Sequence, residues 1–144
     1  MPGRRDAKVE IISRVPLFER CSKRELAAIA AIADQVELRE GKVLAREGGL
    51  GREFFILTGG SAEVSRAGRR IATLGEGDFF GEIALIAKVP RTASVKTVSP
   101  ASALVVSARD FWTLLDAAPR TRQKILQAVA ERLALLEAEP SVQR

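Results

Sequence analysis

The chain has 144 residues, a length that suits one domain with a real core, and 47% of its residues are hydrophobic and 28% charged. It has no histidine and one cysteine, Cys21, which excludes Ser-His-Asp and Cys-His catalysis, histidine-ligated metals and a disulfide framework. The net charge is +5, but the basic residues are dispersed and only 5% of residues are aromatic, so we expect no direct nucleic-acid binding. No apolar run reaches the ~20 residues that cross a bilayer, so we expect a cytoplasmic protein without a membrane segment.

The first part of the chain predicts two helices. The first covers residues 6–14, with Asp6 as its N-cap, and Pro16 closes it. The second begins at a capping box, in which the serine Ser22 is followed three residues later by the glutamate Glu25. Its apolar residues recur at the spacing of one helix face, at Leu26, Ile29, Ala30 and Ala33.

From residue 36 the pattern changes to short apolar or alternating segments that glycines separate. Strands spaced this closely predict an antiparallel all-β roll or barrel. Residues 54–57, Phe-Phe-Ile-Leu, are apolar on both faces, which predicts a strand buried on both sides. A turn is predicted at Ala67-Gly68. The predicted strands cover residues 36–39, 43–46, 53–58, 61–66 and 70–74.

The last third of the chain predicts two more strands, at 91–97 and 103–106, and then two helices. Ser107 and Asp110 have the spacing of a helix start, and this helix runs until Pro119. Thr121 is predicted to cap a final helix that reaches about residue 137. The fold class is therefore mainly β with flanking helices: an antiparallel, jelly-roll-like β-roll with N-terminal helices and two C-terminal helices.

The final helix carries apolar residues at 3-4-3 spacing, at Leu126, Val129, Leu133 and Leu136. Two heptads are too few for a stable coiled coil on their own. A homodimer through this helix and a helix packed on its own β-domain therefore both stay open.

One stretch, Gly77–Val95, combines glycines, an acid, an arginine and a hydroxyl at spacings that suggest chemistry, and we call it the cassette. It predicts a sharp turn at Gly81 and one or two helical turns from Glu82. The first N–H groups of a helix, here those of Ile83 and Ala84, have no internal partner and favour an anion. Arg91 can supply paired bonds to phosphate oxygens, with the Thr92 hydroxyl beside it.

Glu82 narrows the ligand class. A carboxylate repels a phosphate, but it accepts a hydrogen bond from a sugar hydroxyl, so phosphate and hydroxyl together indicate a nucleotide. A glutamate at a helix start and a single arginine are each more often ordinary surface features. Their joint occurrence is what favours a nucleotide-binding site. The segment 75–81 is one residue too long for a Rossmann fingerprint, and no P-loop motif occurs, so ATP and NAD are not supported.

Two motifs in the cassette, Phe-Gly-Glu-Ile-Ala-Leu from residue 80 and Pro-Arg-Thr-Ala-Ser-Val from residue 90, resemble the phosphate-binding cassette of the cyclic nucleotide-binding domain family. This family includes the catabolite activator protein and the regulatory subunits of cyclic AMP-dependent kinase. The resemblance extends upstream through residues 48–57 and 75–80 and covers roughly residues 15–137. It implies that the whole chain, 1–144, is a single cyclic nucleotide-binding domain with its core at about 15–137.

The resemblance also implies the roles of particular residues. Arg91 and the amides of Ile83, Ala84 and Thr92 would hold the cyclic phosphate. Glu82 would accept the ribose 2′-hydroxyl, and Gly81 would shape the turn. A residue of the last helix usually covers the base in this family, and the candidates are Arg132, Leu133 and Leu136. A small hydroxyl at Thr92 occurs in cyclic AMP and in cyclic GMP members, and we favour cyclic AMP over cyclic GMP.

The resulting hypothesis is a stand-alone sensor or regulatory domain that needs no metal or cofactor. We do not expect it to be an enzyme. It would signal to an unknown effector protein by repositioning its C-terminal helices. The alternative is a non-enzymatic β-roll interaction module whose anion site is vestigial or serves another ligand. An enzyme on this scaffold, such as a metal-dependent cupin, is remote because the chain lacks histidine.

Overall fold

The computed structural model describes residues 4–138 of the chain. Its helices are α1 (Arg4–Ser13), a 3₁₀ helix (Pro16–Phe18), α2 (Lys23–Ile32), α3 (Glu82–Ala87), α4 (Ala108–Ala117) and α5 (Pro119–Ala138). Its strands are β1 (Asp34–Leu38), β2 (Val43–Ala45), β3 (Glu53–Gly59), β4 (Ala62–Arg66), β5 (Arg69–Leu74), β6 (Phe79–Phe80), β7 (Ser94–Thr97) and β8 (Ala101–Ser107).

The eight strands form two four-stranded antiparallel sheets, with the strand orders β1-β8-β3-β6 and β2-β7-β4-β5. Strands β4 and β5 are joined by a two-residue turn, in which Ala67 and Gly68 both have positive φ. Two consecutive positive φ angles are the signature of a type I′ hairpin, whose twist matches that of the strands. The predicted mainly β roll with flanking helices is confirmed.

Strand β3 contributes side chains to both hydrophobic clusters of the core. Phe54 and Ile56 face one way and belong to a cluster formed with the helices, which includes Phe18, Ile29, Phe111 and Ile125. Phe55 and Leu57 face the other way and pack with residues of the second sheet, including Ala62, Leu74 and Val95. All four residues of this strand segment are buried, which confirms the prediction of a strand covered on both sides.

Two of the predicted helix starts have the expected hydrogen bonds. The capping box before α2 is complete: Ser22 Oγ accepts from the Glu25 N–H, and Glu25 Oε1 accepts from the Ser22 N–H. Before α4, Ser107 Oγ accepts from the Asp110 N–H. Both caps satisfy amides that the helix itself leaves without partners.

Strands β1 and β8 each begin two residues earlier than predicted, and three boundaries predicted at a named residue are wrong. Helix α1 begins at Arg4, so Asp6 lies inside it and is not its N-cap. Helix α5 begins at Pro119, whose fixed φ suits a first helical residue, so Thr121 lies inside the helix and its hydroxyl donates to the Leu17 carbonyl at 3.1 Å. The strand predicted from Arg91 begins only at Ser94.

Candidate functional site

A cavity of about 230 Å³ lies where the cassette meets the second sheet and the end of helix α5. Its wall combines a mostly apolar side from strands β4 and β5 with polar groups from the cassette and α5. The lining residues used below are Val64, Arg66, Ile71, Ala72, Leu74, Gly81, Glu82, Ile83, Ala84, Arg91, Thr92, Arg132, Leu135 and Leu136. The structure therefore gathers around one cavity all the cassette residues singled out from the sequence.

Gly81 makes the turn between β6 and α3, and the turn requires a glycine. Its φ is +104°, a conformation that L side chains rarely adopt. A Cβ atom here would lie 2.6 Å from the Glu53 carbonyl oxygen and 2.8 Å from Arg91 Nη1. As the N-cap of α3, Gly81 has no side chain that could accept from the first amides of the helix. The turn thus brings the Arg91 guanidinium against bare backbone.

Arg91 is a buried cation, with only 7% of its surface exposed. Its Nη2 donates to the Glu53 carbonyl at 2.9 Å, and its Nη1 has no hydrogen-bond partner among the described residues. Burial lowers the pKa of Arg91, and the nearby carboxylates of Glu53 and Glu82 partly oppose that effect. A buried donor without a partner is rare in proteins, and a ligand group is a common reason for one.

The loop between β2 and β3 holds Arg91 in place through its backbone. The Arg91 N–H donates to the Gly49 carbonyl, and the Arg91 carbonyl accepts from the Gly48 N–H, both at 2.8 Å. These bonds occupy the backbone of Arg91 outside the regular sheet, which is why β7 starts three residues later than predicted. A Cβ atom on Gly51 would overlap the side chain of Ala84, so the loop also packs directly on α3. In the sequence, these glycines only separated two predicted strands and fell within the family resemblance at residues 48–57.

Glu82 and Arg132 form an ion pair across the cavity. Glu82 is 1% exposed, and both of its carboxylate oxygens accept from Arg132 Nη1, at 2.7 and 2.8 Å. Arg132 Nη2 donates to the Phe79 carbonyl at 2.9 Å, and the guanidinium carbon lies 5.0 Å from the centre of the Phe79 ring. The acid proposed to bind a ribose hydroxyl is therefore fixed by the helix proposed to cover the base.

Helix α5 presents two faces at this end of the molecule. Leu135 and Leu136 line the cavity beside Arg132, whereas Leu133 packs against the helical core cluster and is not among the described lining residues. Val129 is buried in the same cluster, and Leu126 is exposed. The apolar face noted in the sequence is thus largely used within the domain, as expected for a helix packed on its own β-domain.

The charges that line the cavity suit an anionic ligand. The described lining residues include three arginines (Arg66, Arg91 and Arg132) and one carboxylate, Glu82, so their formal net charge is +2. A concave surface of one sign concentrates ligands of the opposite sign. Arg66 and Leu135 were not predicted as site residues, because neither belongs to a local motif and only the tertiary fold brings them to the cavity.

Residues 35–118 match the cyclic nucleotide-binding domain family, and this match covers more than half of the chain. The chain therefore belongs to the cyclic nucleotide-binding domain family, which confirms the resemblance seen in the cassette motifs.

Individual relatives agree with this assignment. A putative potassium channel protein of Rhodopseudomonas palustris is 35% identical over 126 residues, which cover 85% of this chain but only 30% of the relative. A solved structure described as Sp-2Cl-cAMPS bound to PKAR CBD2 is 25% identical, with a TM-score of 0.78, and the match covers 96% of this chain and 98% of that one. The catabolite activator protein of Thermus thermophilus is 25% identical, with a TM-score of 0.74, over 85% of this chain and 60% of that one.

The chain spans about a third of the length of the curated channel relatives that it matches. Within residues 4–138, no helix is long and apolar enough to cross a membrane.

Proposed function

We propose that this chain is a cyclic nucleotide sensor that binds cyclic AMP in the cavity beside the cassette, with cyclic GMP as the alternative ligand. The observation that carries the proposal is the buried Arg91 Nη1, which lies against Gly81 without a partner among the described residues. A cyclic phosphodiester carries one negative charge and two free oxygens. It would neutralise the desolvated guanidinium and accept its remaining hydrogen bond.

The phosphate would lie at the start of α3. The amides of Ile83 and Ala84 belong to the first turn of that helix, where Gly81 provides no capping side chain. The Thr92 N–H follows Arg91 directly in the chain and would complete the set of donors. Family membership supports these assignments, since the residues that match the family, 35–118, include the cassette.

Glu82 would accept the ribose 2′-hydroxyl. Its two oxygens already accept from Arg132, but a carboxylate has about four acceptor positions and can bind both groups together. The hydroxyl would then join an existing hydrogen-bonded pair, and no separate buried charge would be needed.

The base would lie between the apolar wall of the second sheet and helix α5. Val64, Ile71 and Ala72 supply one side of this slot, and Leu135 and Leu136 supply the other. Arg132 would lie at the edge of this slot, and we propose that Arg132 and Leu136 form the lid, the part of α5 that covers the base. Leu133 contacts the core instead and would support the lid helix from behind.

Helix α5 is tied to other elements at both ends, which supports signalling by its movement. Near its start, Lys124 Nζ donates to the Pro16 carbonyl at 2.7 Å and the Thr121 hydroxyl donates to the Leu17 carbonyl. Near its end, Arg132 holds Glu82 and Phe79. A ligand that changes the contacts of Glu82 would therefore shift the helix against the 3₁₀ helix, in proportion to its differential affinity for the two positions.

We propose a single binding domain without catalytic activity, with a core of about residues 15–137, that acts in the cytoplasm on an effector protein. A homodimer through α5 also stays a prediction. Any such dimer would have to use Leu126 and Leu135, the exposed leucines of this helix within the described residues.

Calorimetric titration of the wild-type chain with cyclic AMP, cyclic GMP and 5′-AMP tests the function. We expect one cyclic nucleotide to bind with a Kd of about 10 μM or below, and 5′-AMP to bind at least about tenfold more weakly because its phosphate is dianionic and not held in a ring. If neither cyclic nucleotide binds at about 0.1 mM, the sensor proposal is wrong and the interaction module is favoured.

A further inference from the structure

Arg66, in the second sheet, contacts the C-terminal part of the cassette. Arg66 is the last residue of β4, and its side chain crosses to Thr92, where Nε donates to the Thr92 carbonyl at 2.8 Å. Residues 91–93 precede β7 and lie outside the regular strands. The Arg66 bond therefore fixes a segment that the sheet ladder does not hold, and the Arg66 side chain also lines the cavity.

We propose that Arg66 is a second cationic residue of the anion-binding site, with two effects on the ligand. It positions the backbone of Thr92, whose amide is proposed to bind the phosphate, and its charge adds to that of Arg91 at the cavity wall. This inference rests on the proposed function and deepens it. It assigns part of the affinity for a cyclic phosphate to a residue outside the cassette.

Arg66 brings further positive charge to the wall of the cavity that Arg91 also lines. Arg66 pairs directly across the hairpin with Arg69, and like charges opposite each other destabilise a strand pair. It also shares the cavity with the buried Arg91, whose charged form is already disfavoured by burial. An anion bound in the cavity would interact favourably with the charges of both Arg66 and Arg91.

The hairpin provides a matched control for this proposal. Arg69 is exposed, lies directly opposite Arg66, and is not among the described residues that line the cavity. Arg66→Gln and Arg69→Gln therefore remove the same charge from the same hairpin, but only the first changes the cavity. Arg66→Lys keeps the charge and loses the Nε bond to Thr92.

Calorimetric titrations with cyclic AMP and cyclic GMP would be made at several NaCl concentrations. We expect Arg66→Gln to weaken binding of the preferred nucleotide about tenfold and to reduce its salt dependence. Arg66→Lys should restore the salt dependence and lose about threefold in affinity, and Arg69→Gln should stay within about twofold of the wild type.

The outcomes separate this inference from the proposed function. If the wild type binds no cyclic nucleotide, the function itself is wrong. If the wild type binds and Arg66→Gln matches it, or if Arg66→Gln and Arg69→Gln lose the same amount, only the role of Arg66 is overturned. Should Arg66→Gln fail to fold, Arg66→Lys decides: a threefold loss supports the role, and affinity equal to the wild type overturns it.

Discussion

Arg91 and Arg132 line the same cavity and differ in how far the protein satisfies their hydrogen-bond donors. Arg91 follows the cassette, is 7% exposed, and has an Nη1 without a partner among the described residues. The Arg132 side chain comes from helix α5, is 34% exposed, and donates to Glu82 and Phe79. One cation leaves a donor for a ligand, whereas the other is already bound within the protein.

Because of this difference, we expect Arg91 to determine the affinity for the ligand and Arg132 to determine how ligand binding is coupled to the position of α5. A buried cation with an unpartnered donor destabilises the protein when no ligand is bound. Because a bound anion removes this destabilisation, Arg91 should contribute most of the free energy of binding. A cation already paired with Glu82 gains little from the ligand directly. Its effect should come through the position of α5, so Arg132 should matter more for the response of the helix than for affinity.

The largest expected effect is that of Arg91→Gln. Loss of the charge and of its paired bonds to phosphate should weaken cyclic nucleotide binding at least about 100-fold, close to 3 kcal/mol. Without nucleotide, its free energy of unfolding should equal or exceed that of the wild type, because the variant no longer buries an incompletely bonded charge. Calorimetric titration and urea unfolding measure the two quantities.

The control for this variant is Arg109→Gln, which removes an exposed arginine from α4. It should leave affinity within about twofold of the wild type. A loss of stability of about 3 kcal/mol in Arg91→Gln without nucleotide would show that Arg91 is a structural residue, and the contrast with Arg132 would disappear.

Glu82→Gln should have an intermediate effect, because Glu82 belongs to both sides of the comparison. The amide offers one oxygen in place of two, so both the ribose contact and the bond to Arg132 weaken. We expect affinity to fall about 10- to 30-fold and stability to fall by about 1–3 kcal/mol. The same titration with 2′-deoxy cyclic AMP is the check: the wild type should prefer the ribose form, and Glu82→Gln should prefer it much less. An unchanged preference would remove Glu82 from the ribose site.

The sequence predicted the cassette side of the cavity well because its geometry is local. The turn at Gly81 and the helix start at Glu82 follow from neighbouring residues, and Glu82 and Arg91 do line one cavity. The strand start at Arg91 was wrong because its backbone bonds to Gly48 and Gly49, a contact over some forty residues that no local pattern contains.

The other side of the cavity could be predicted only in part. The Glu82–Arg132 pair joins residues 50 apart in the chain, so it depends on how α5 rotates on the core. The apolar spacing identified an apolar face that includes Leu133, but it did not show that Leu135 would reach the cavity. Arg66 was missed for the same reason, since a strand pattern does not tell which face borders a ligand site.

The smallest effect on affinity is expected for Arg132→Gln, and this variant tests the comparison most sharply. Its affinity should fall only about threefold, because Glu82 and Arg91 remain. Its signalling should change more: Trp112 on α4 is 45% exposed and packs against Phe111, which belongs to the core cluster shared with α5. We expect the Trp112 fluorescence change at saturating nucleotide to shrink by about half or more in Arg132→Gln.

A double-mutant cycle with Glu82→Gln shows whether the two residues act as one unit. If Arg132 acts through Glu82, the double variant should bind about as weakly as Glu82→Gln alone, and the losses will not add. Additive losses, together with a full fluorescence change in Arg132→Gln, would mean that Arg132 contacts the ligand independently and does not couple it to α5. Arg91 and Arg132 would then be two cations with one role, and the division between affinity and coupling would have to be given up.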